Sequence, residues 1–250
     1  MKIHPLSLCN NTKYDNISKN YDHLDKESEI KIHSKIRKLV CGDVFGNVIE
    51  IGIGTGNNIL YYPNIINSFT GIDVSSKMLD VVKKKYNLEK VNNDNNDNNN
   101  NNNDNNDNNN NDNNNNDNKF RFSISLIQGD VGILKGIIDN SYDWYIATYV
   151  YCVLPQELIT YGINQMCRVL KNGGHFKIVD IVISKDETLK QKQHLDEERL
   201  NQLFGLNLYN NTLSIIQNIK FKKKKTTIKL TKVKYLHNDT FLLIEGVVFK

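Results

Sequence analysis

Three glycines at alternate positions mark the stretch V-I-E-I-G-I-G-T-G-N-N, which occupies residues 48–58. The β-branched residues before them favour a short buried strand, and Gly52, Gly54 and Gly56 would form the turn at its carboxyl end. Because glycine has no Cβ, the backbone of such a turn can approach a bound molecule closely. The pattern therefore predicts a binding site for a nucleotide-like ligand at this turn.

The two common phosphate-binding motifs fit this turn poorly. A P-loop requires Gly-Lys-Ser/Thr, and none follows here. A dinucleotide fingerprint has its third glycine at the sixth position, where this chain has Asn57, and the glycine comes early instead, at Gly56. An NAD-dependent oxidoreductase is therefore the least favoured function.

The turn resembles E/D-x-G-x-G-x-G, the first motif of class I S-adenosylmethionine-dependent methyltransferases, with Glu50 at the acidic position. Two later acids match in order. Asp73 in T-G-I-D-V-S corresponds to the family's acid that accepts both ribose hydroxyls, a role that suits a carboxylate because it can take two hydrogen bonds side by side. Asp130 in Q-G-D-V corresponds to the residue that faces the adenine amino group.

Two further stretches are similar to motifs of the same family. S-Y-D-W-Y-I-A-T at 141–148 resembles the fourth-strand motif. C-R-V-L-K-N-G-G at 167–174 resembles the R-V-L-K-P-G-G turn, with Asn172 in place of proline. The resemblance implies that S-adenosyl-L-methionine is the cofactor. The residues it implies as contacts are Glu50, Gly52, Ile53, Gly54, Thr55, Gly56, Asp73, Val74, Ser75, Met78, Asp130, Val131, Ala147 and Thr148.

A subgroup of the family is indicated by more specific matches. G-T-G-N-N-I-L-Y-Y-P at 54–63 is similar to the G-T-G-x-N-x-x-x-Y-P of the methyltransferase-like 7 proteins and the quinone C-methyltransferase-like proteins. A-T-Y-V-Y-C-V at 147–153 resembles their C-T-x-V-L-C-S. This chain departs from the subgroup at Leu206 and Asn207, which replace a Cys-His pair, and it shows no apolar anchor at its amino terminus.

Methyl transfer from a sulfonium needs alignment more than acid–base chemistry, because the donor is already activated by its positive charge. A general base is required only if the acceptor must lose a proton. The pattern Y-D-x-I-x-x-x-Y-D at 14–22 resembles the lid segment of these enzymes, so we predict Tyr21 as a catalytic side chain, together with Tyr149 after the fourth strand. Alternatively, Ile17, Tyr21 and Leu24 form only the apolar stripe of a surface helix.

The resemblance favours a small apolar methyl acceptor, such as a thiol or a quinone-like phenol. An RNA or protein methyltransferase is the alternative, and a non-catalytic S-adenosylmethionine-binding protein is the next. The run K-F-K-K-K-K-T-T-I-K-L-T-K-V-K at 220–234 could contact RNA or anionic lipid. We favour instead a solvated loop and edge strand that lysine protects from aggregation. No DNA partner is predicted.

The segment 92–118 contains only Asn and Asp, and we expect a disordered insert there, since it has no apolar side chain to bury. The negative charges of its six Asp side chains also offset part of the positive charge of the rest of the chain. The whole chain has 32 basic and 28 acidic side chains, a formal charge of +4, and without the insert 32 face 22, which gives +10.

Strand and helix patterns alternate outside the insert. The predicted strands are 47–51, 68–74, 120–127, 144–150, 176–183, 226–236 and 241–249, and the predicted helices are 30–40, one directly after the glycine turn, one capped by Ser75 or Ser76, 156–170 ending at Gly173-Gly174, and about 188–203. About four residues join the last two strands, so these should be antiparallel. We predict a single domain over 1–250, with a lid or helical segment at 1–38. The fold class is α/β, a doubly wound, Rossmann-like three-layer sandwich whose seven-stranded sheet ends in an antiparallel hairpin.

The remaining features indicate an ordinary globular enzyme. The four cysteines form no C-x-x-C pair, so neither a metal site nor a disulfide framework is expected. No apolar run is long enough for a transmembrane segment, and no targeting segment is evident. The expected location is the cytoplasm, with mitochondria as the alternative, and the expected state is a monomer or weak dimer.

Overall fold

The computed structural model describes residues 11–88, 120–221 and 225–250. The predicted disorder at 92–118 lies outside the described residues, as do three lysines of the basic run, at 222–224. The described chain forms an α/β fold around one seven-stranded sheet.

The sheet has the strand order β3-β2-β1-β4-β5-β7-β6. The first five strands are mutually parallel, and β7 pairs antiparallel with both β5 and β6, so the predicted terminal hairpin is confirmed. The strands are β1 Gly46–Ile51, β2 Ile66–Asp73, β3 Ser123–Gln128, β4 Tyr142–Thr148, β5 Leu170–Ile181, β6 Thr227–Leu236 and β7 Phe241–Phe249.

The helices lie on both faces of this sheet. They are α1 Asn11–Ile17, α2 Tyr21–Leu24, α3 Lys26–Ser28, α4 Ser34–Cys41, α5 Ser76–Lys85, α6 Gln156–Val169, α7 Glu187–Phe204 and α8 Thr212–Asn218. A π-helical turn, Glu29–His33, joins α3 to α4. Short 3₁₀ turns at Ser18–Asn20, Ile59–Tyr61 and Tyr151–Val153 complete the set described.

Two apolar clusters separate the three layers. Successive residues of a strand point to opposite faces, so Val48 packs with α4 and α5 whereas Ile49 packs with α6 and α8. Both side chains are fully buried. This arrangement confirms the predicted doubly wound, Rossmann-like three-layer sandwich.

Helix α5 has the amino-terminal cap and the apolar stripe that its sequence predicts. The Ser75 side chain accepts a hydrogen bond from the Met78 N–H at 3.1 Å and so caps the helix. Met78, Val82 and Tyr86, four residues apart, are all buried on one stripe. Both the cap and the stripe are confirmed.

Two predictions about glycines are wrong. Only the 3₁₀ turn Ile59–Tyr61 follows the glycine turn, where we expected a helix. Pro63 lacks an N–H and disfavours a helical conformation in the residue before it, and Tyr62 is extended.

The second correction concerns the end of α6. This helix stops at Val169, because Leu170 is already extended and begins β5. Gly173, with a φ of 77°, lies within β5, between Leu170 and His175, which pair with Tyr142 and Trp144 of β4 across a register shift. Its left-handed backbone therefore accommodates an irregularity within a strand and does not cap a helix.

We predict that replacing 92–118 by a short glycine-serine linker leaves the fold intact. The elements on either side, α5 and β3, pack on the sheet through residues outside this segment, and the cost of closing a loop changes only slowly with its length. Circular dichroism and thermal unfolding of the two chains should agree within about 1 kcal/mol of unfolding free energy. A larger loss of stability would show that the insert contributes to the fold.

Candidate functional site

A cavity of about 660 Å³, counted to its open mouth, lies at the carboxyl ends of the parallel strands. This is the edge at which open α/β sheets bind ligands. Its walls come from the ends of β1, β2 and β4, from the loop after β3, and from the amino-terminal segment through Tyr14 and Tyr21.

The glycine turn forms one wall, and each of its glycines has a left-handed backbone, with φ of 63°, 55° and 80° for Gly52, Gly54 and Gly56. Only glycine adopts such angles without strain. A Cβ on Gly52 would lie 2.4 Å from Val150 Cγ2, whereas one on Gly54 would meet no atom within 4 Å. Gly52 thus allows close packing within the protein, and Gly54 leaves open space for a ligand.

Asp73 lies at the end of β2, directly opposite this turn. Its Oδ2 accepts a hydrogen bond from the Gly54 N–H at 2.8 Å, and its Oδ1 accepts one from the Ser75 N–H at 2.9 Å. Burial raises the pKa of this carboxyl to about 6, although the backbone donors act in the opposite direction. A carboxylate offers about four acceptor positions, so Asp73 can still accept from a ligand hydroxyl. Val74 and Met78 continue the same wall.

Asp130 is buried in the loop after β3, between two cavity-lining residues, Gly129 and Val131. Its Oδ1 accepts from the Gly132 N–H at 2.6 Å. Its Oδ2 has no hydrogen-bond partner within the described part of the chain. A buried carboxylate oxygen without a donor is costly, so the site fits a ligand that brings an N–H donor, as an adenine amino group does.

Glu50 faces into the protein, beneath the turn. Its carboxylate accepts from Asn58 Nδ2 at 2.8 Å and from the Tyr62 hydroxyl at 2.7 Å, and burial raises its pKa to about 7. Asn58 Nδ2 also donates to Thr148 Oγ1 at 2.9 Å. Thr148 lines the cavity, whereas Ala147 is buried in the core of the sheet.

Tyr149 follows β4 with an unusual backbone. Its φ of 62° is strained for an aromatic residue, and the conformation is held by a 2.7 Å hydrogen bond from its N–H to the Val179 carbonyl. The ring packs on His33, with centroids 4.7 Å apart, and lies 5.4 Å from the Arg37 guanidinium carbon. Its hydroxyl is buried and has no hydrogen-bond partner among the residues described.

The amino-terminal segment covers the cavity and is fastened to the loops that form it. Asp15 accepts from Ser75 Oγ at 2.6 Å. Asp22 accepts from Thr55 Oγ1 at 2.5 Å and from Lys85 at 2.9 Å. Burial raises the pKa of Asp22, but these donors outweigh it and hold that pKa below the usual value.

A second, smaller cavity lies beside the glycine turn, and sequence reasoning missed the residue that distinguishes it. The buried Arg37 of α4 lines this cavity together with Ile53, Thr55 and Tyr149. The one feature of the sequence that distinguishes Arg37 is that it is an arginine in a helix whose other cationic side chains are lysines. Asn58, which was also missed, lies in the G-T-G-N-N stretch itself.

A cluster of ionisable side chains lies behind Tyr149, in which Asp25, Glu29 and His33 bring ligand atoms within 4.8 Å of one another. His33 Nδ1 lies 3.0 Å from Asp25 Oδ2, and Glu29 Oε2 accepts from Arg37 Nε at 2.9 Å. Each of the three side chains is therefore already engaged within the protein.

The family model of the methyltransferase domain matches residues 49–178, more than half of the chain. The chain therefore belongs to this family of class I S-adenosylmethionine-dependent methyltransferases, and S-adenosylmethionine is its cosubstrate. The matched region contains the glycine turn, Asp73, Asp130 and the end of β4.

Solved structures agree on the fold. A chain from the Haloferax volcanii Trm112 methyltransferase activator complex is 12% identical with a TM-score of 0.60, and 96% of this chain and 97% of that one are covered. The YcgJ protein of Bacillus subtilis is 14% identical, with a TM-score of 0.54 and coverage of 87% and 97%. A methyltransferase from Aquifex aeolicus is 13% identical, with a TM-score of 0.53 and coverage of 92% and 97%. At these identities the likeness shows the fold alone.

No curated protein sequence is significantly similar to this chain. In the described residues, no helix combines the length and apolar character needed to cross a membrane.

We predict different outcomes for two alanine substitutions in the turn. Gly52→Ala should destabilise the protein by about 2 kcal/mol or more, because it adds a clash with Val150 to the backbone strain. Gly54→Ala should cost about 1–2 kcal/mol from backbone strain alone, yet it should abolish S-adenosylmethionine binding by filling ligand space. Thermal unfolding and calorimetric titration separate the two effects. Unchanged affinity in Gly54→Ala would contradict this assignment of the turn.

Proposed function

We propose that this protein transfers the methyl group of S-adenosylmethionine to a small apolar acceptor, a thiol or a quinone-like phenol. The proposal rests on the chemical character of the cavity walls other than those assigned to the cofactor. Its remaining walls are aromatic and aliphatic, and they include Tyr14, Tyr21, Val153 and Leu154. Such walls suit an uncharged, compact molecule. The subgroup resemblance at 54–63 and 147–153 supports the same acceptor class.

The nucleoside end of the cofactor is assigned to the β2 and β3 side of the cavity. Asp73 accepts the ribose hydroxyls through its remaining lone pairs, and Asp130 Oδ2 accepts from the adenine amino group. Val74, Met78 and Val131 contact the nucleoside with apolar surface, while Gly54 gives it room. Glu50 supports the turn from below rather than contacting the cofactor.

The cofactor supplies an activated methyl group on a sulfonium. The protein holds the acceptor in line with that group and excludes water, and alignment of this kind can lower a barrier by about 7–11 kcal/mol. Closure of the amino-terminal segment over the cavity serves both purposes, with its described part, 11–38, acting as a lid.

Tyr21 and Tyr149 act as neutral hydrogen-bonding groups and not as bases. Burial raises the pKa of both phenols well above the ordinary tyrosine value. At neutral pH each side chain therefore keeps its proton, and its contribution is to orient a ligand atom. Tyr21 is additionally held in place by an edge-on contact with Phe204, at 5.9 Å between ring centroids.

We predict that cofactor affinity depends on pH through Asp73. The ionised carboxylate binds the ribose hydroxyls better than the neutral acid does, and the pKa of Asp73 is raised to about 6. Affinity for S-adenosylhomocysteine should therefore be constant above about pH 7 and fall below pH 6, by up to about tenfold per pH unit. Calorimetric titration with S-adenosylhomocysteine across this pH range measures the affinity.

Asp73→Asn is the matched control, since it keeps the shape and removes the titration. It should bind about 10–100-fold more weakly at neutral pH, because hydrogen bonds to a charged group are lost, and its affinity should barely change with pH. An unaltered pH profile in Asp73→Asn would assign the dependence to another group.

The acceptor class is tested by incubating the protein with methyl-labelled cofactor and, separately, small thiols, quinone-like phenols and RNA. We expect label in a thiol or a phenol, and at least tenfold less turnover in Tyr21→Phe at unchanged cofactor affinity. Label found only in RNA would replace this proposal with the alternative that the basic run raises. Tyr161→Phe, on an exposed tyrosine of α6, should behave as the wild type.

A further inference from the structure

We propose that Asp180 is a positioning residue for the methyl acceptor, because it supports the short turn Tyr151–Val153 from the side that faces away from the cavity. The inference rests on the proposed function and deepens it. Val153 and Leu154, at the end of this turn, line the large cavity, and so does Val150, directly before it. The turn therefore carries part of the wall that we assign to the acceptor.

The first two side chains of the turn belong to the packed interior and do not line the cavity. Tyr151 and Cys152 are both fully buried. The Tyr151 hydroxyl shares a 2.8 Å hydrogen bond with the hydroxyl of Tyr145, and Cys152 packs against Leu206 and Leu208. The turn is thus held by its buried side, so a change on that side would move the cavity wall.

Asp180 supplies the acceptor oxygens on this buried side. It lies near the end of β5, is 1% exposed, and follows Val179, whose carbonyl accepts from the Tyr149 N–H at 2.7 Å. Its carboxyl faces the backbone N–H groups of Tyr151 and Cys152 and the Cys152 thiol. Burial raises the pKa of Asp180 to about 7, and these donors act in the opposite direction, as donors to a carboxylate do.

The carboxyl of Asp180 is incompletely satisfied. Its Oδ2 accepts from Thr212 Oγ1 of α8 at 3.2 Å, and Thr212 is itself fully buried. Its Oδ1 has no partner with hydrogen-bond geometry in the described part of the chain, so the donors of the turn approach the carboxyl without completing a bond to that oxygen. A buried carboxyl with too few donors costs stability, and groups with strongly shifted pKa concentrate at functional sites. The place of Asp180 directly behind the acceptor wall gives it such a function.

Thr212 offers a matched pair of substitutions for the test. Thr212→Val keeps the shape and removes the hydroxyl that donates to Asp180, whereas Thr212→Ser keeps the hydroxyl. Asp180→Asn replaces one acceptor oxygen by an amide donor. In the ligand-free protein, hydrogen exchange at 150–154 should be at least about threefold faster in Thr212→Val and Asp180→Asn than in the wild type or Thr212→Ser. Exchange in α5 should not change, because this helix packs on the other face of the sheet.

The kinetic test uses thiophenol and hydroquinone as probe acceptors. We expect Thr212→Val and Asp180→Asn to raise the KM of the acceptor about 3–10-fold, with a smaller change in kcat, since the displaced wall binds the acceptor. Affinity for S-adenosylhomocysteine, measured by calorimetric titration, should stay within about twofold of the wild type. Thr212→Ser should restore the wild-type KM, which a loss of packing alone would not explain.

The outcomes separate this proposal from the proposed function. If the wild type binds S-adenosylhomocysteine but methylates neither probe, the acceptor class is wrong, and hydrogen exchange in the turn still decides the role of Asp180. Unchanged exchange at 150–154 in both Thr212→Val and Asp180→Asn would overturn that role. A parallel loss of cofactor affinity would also overturn it, because Asp180 would then support the whole site and not the acceptor wall.

Discussion

The hydrogen bond from the Gly54 N–H to Asp73 Oδ2 joins β1 to β2 where the cavity begins. It forms only because Gly52 and Gly54 adopt left-handed backbone angles, which turn the chain back across the sheet edge. The same turn leaves open space above Gly54 and packs Gly52 tightly against Val150. The shape of the candidate site thus depends on a constraint of the backbone, and that constraint also orients the Asp73 carboxylate.

Beneath this turn, a polar network ties the two halves of the site together. Asn58 donates to Glu50 and Thr148 and accepts from Arg37, so one buried amide connects β1, β4 and α4. A fully satisfied network of this kind rigidifies its surroundings, whereas a partly satisfied one is costly. Glu50, whose pKa burial raises to about 7, accepts hydrogen bonds from two donors and so stabilises the turn from within the protein.

The amino-terminal segment, which covers the cavity, is held by different interactions from those that hold the sheet together. Asp22 and Lys85, which fasten it to the glycine turn, are partly exposed, and ion pairs of this kind each contribute little stability. By contrast, the walls formed by the sheet belong to the buried core. The amino-terminal segment is therefore held less firmly than the sheet that forms the other walls of the cavity.

Much of the candidate site was readable from the sequence. Glycine spacing at 52–56, acids at the ends of two strands and the cap and stripe of α5 are local properties, because strand alternation and helix periodicity place neighbouring residues predictably. Other features were decided by tertiary contacts. Arg37 meets Asn58 across 21 residues, and Asn58 meets Thr148 across 90. The inward direction of Glu50 and the strained backbone of Tyr149 likewise followed from contacts with other segments. The sequence by itself thus determined which donor this protein uses, and the surroundings of that donor were decided only when the chain folded, because no local pattern records contacts between residues so far apart.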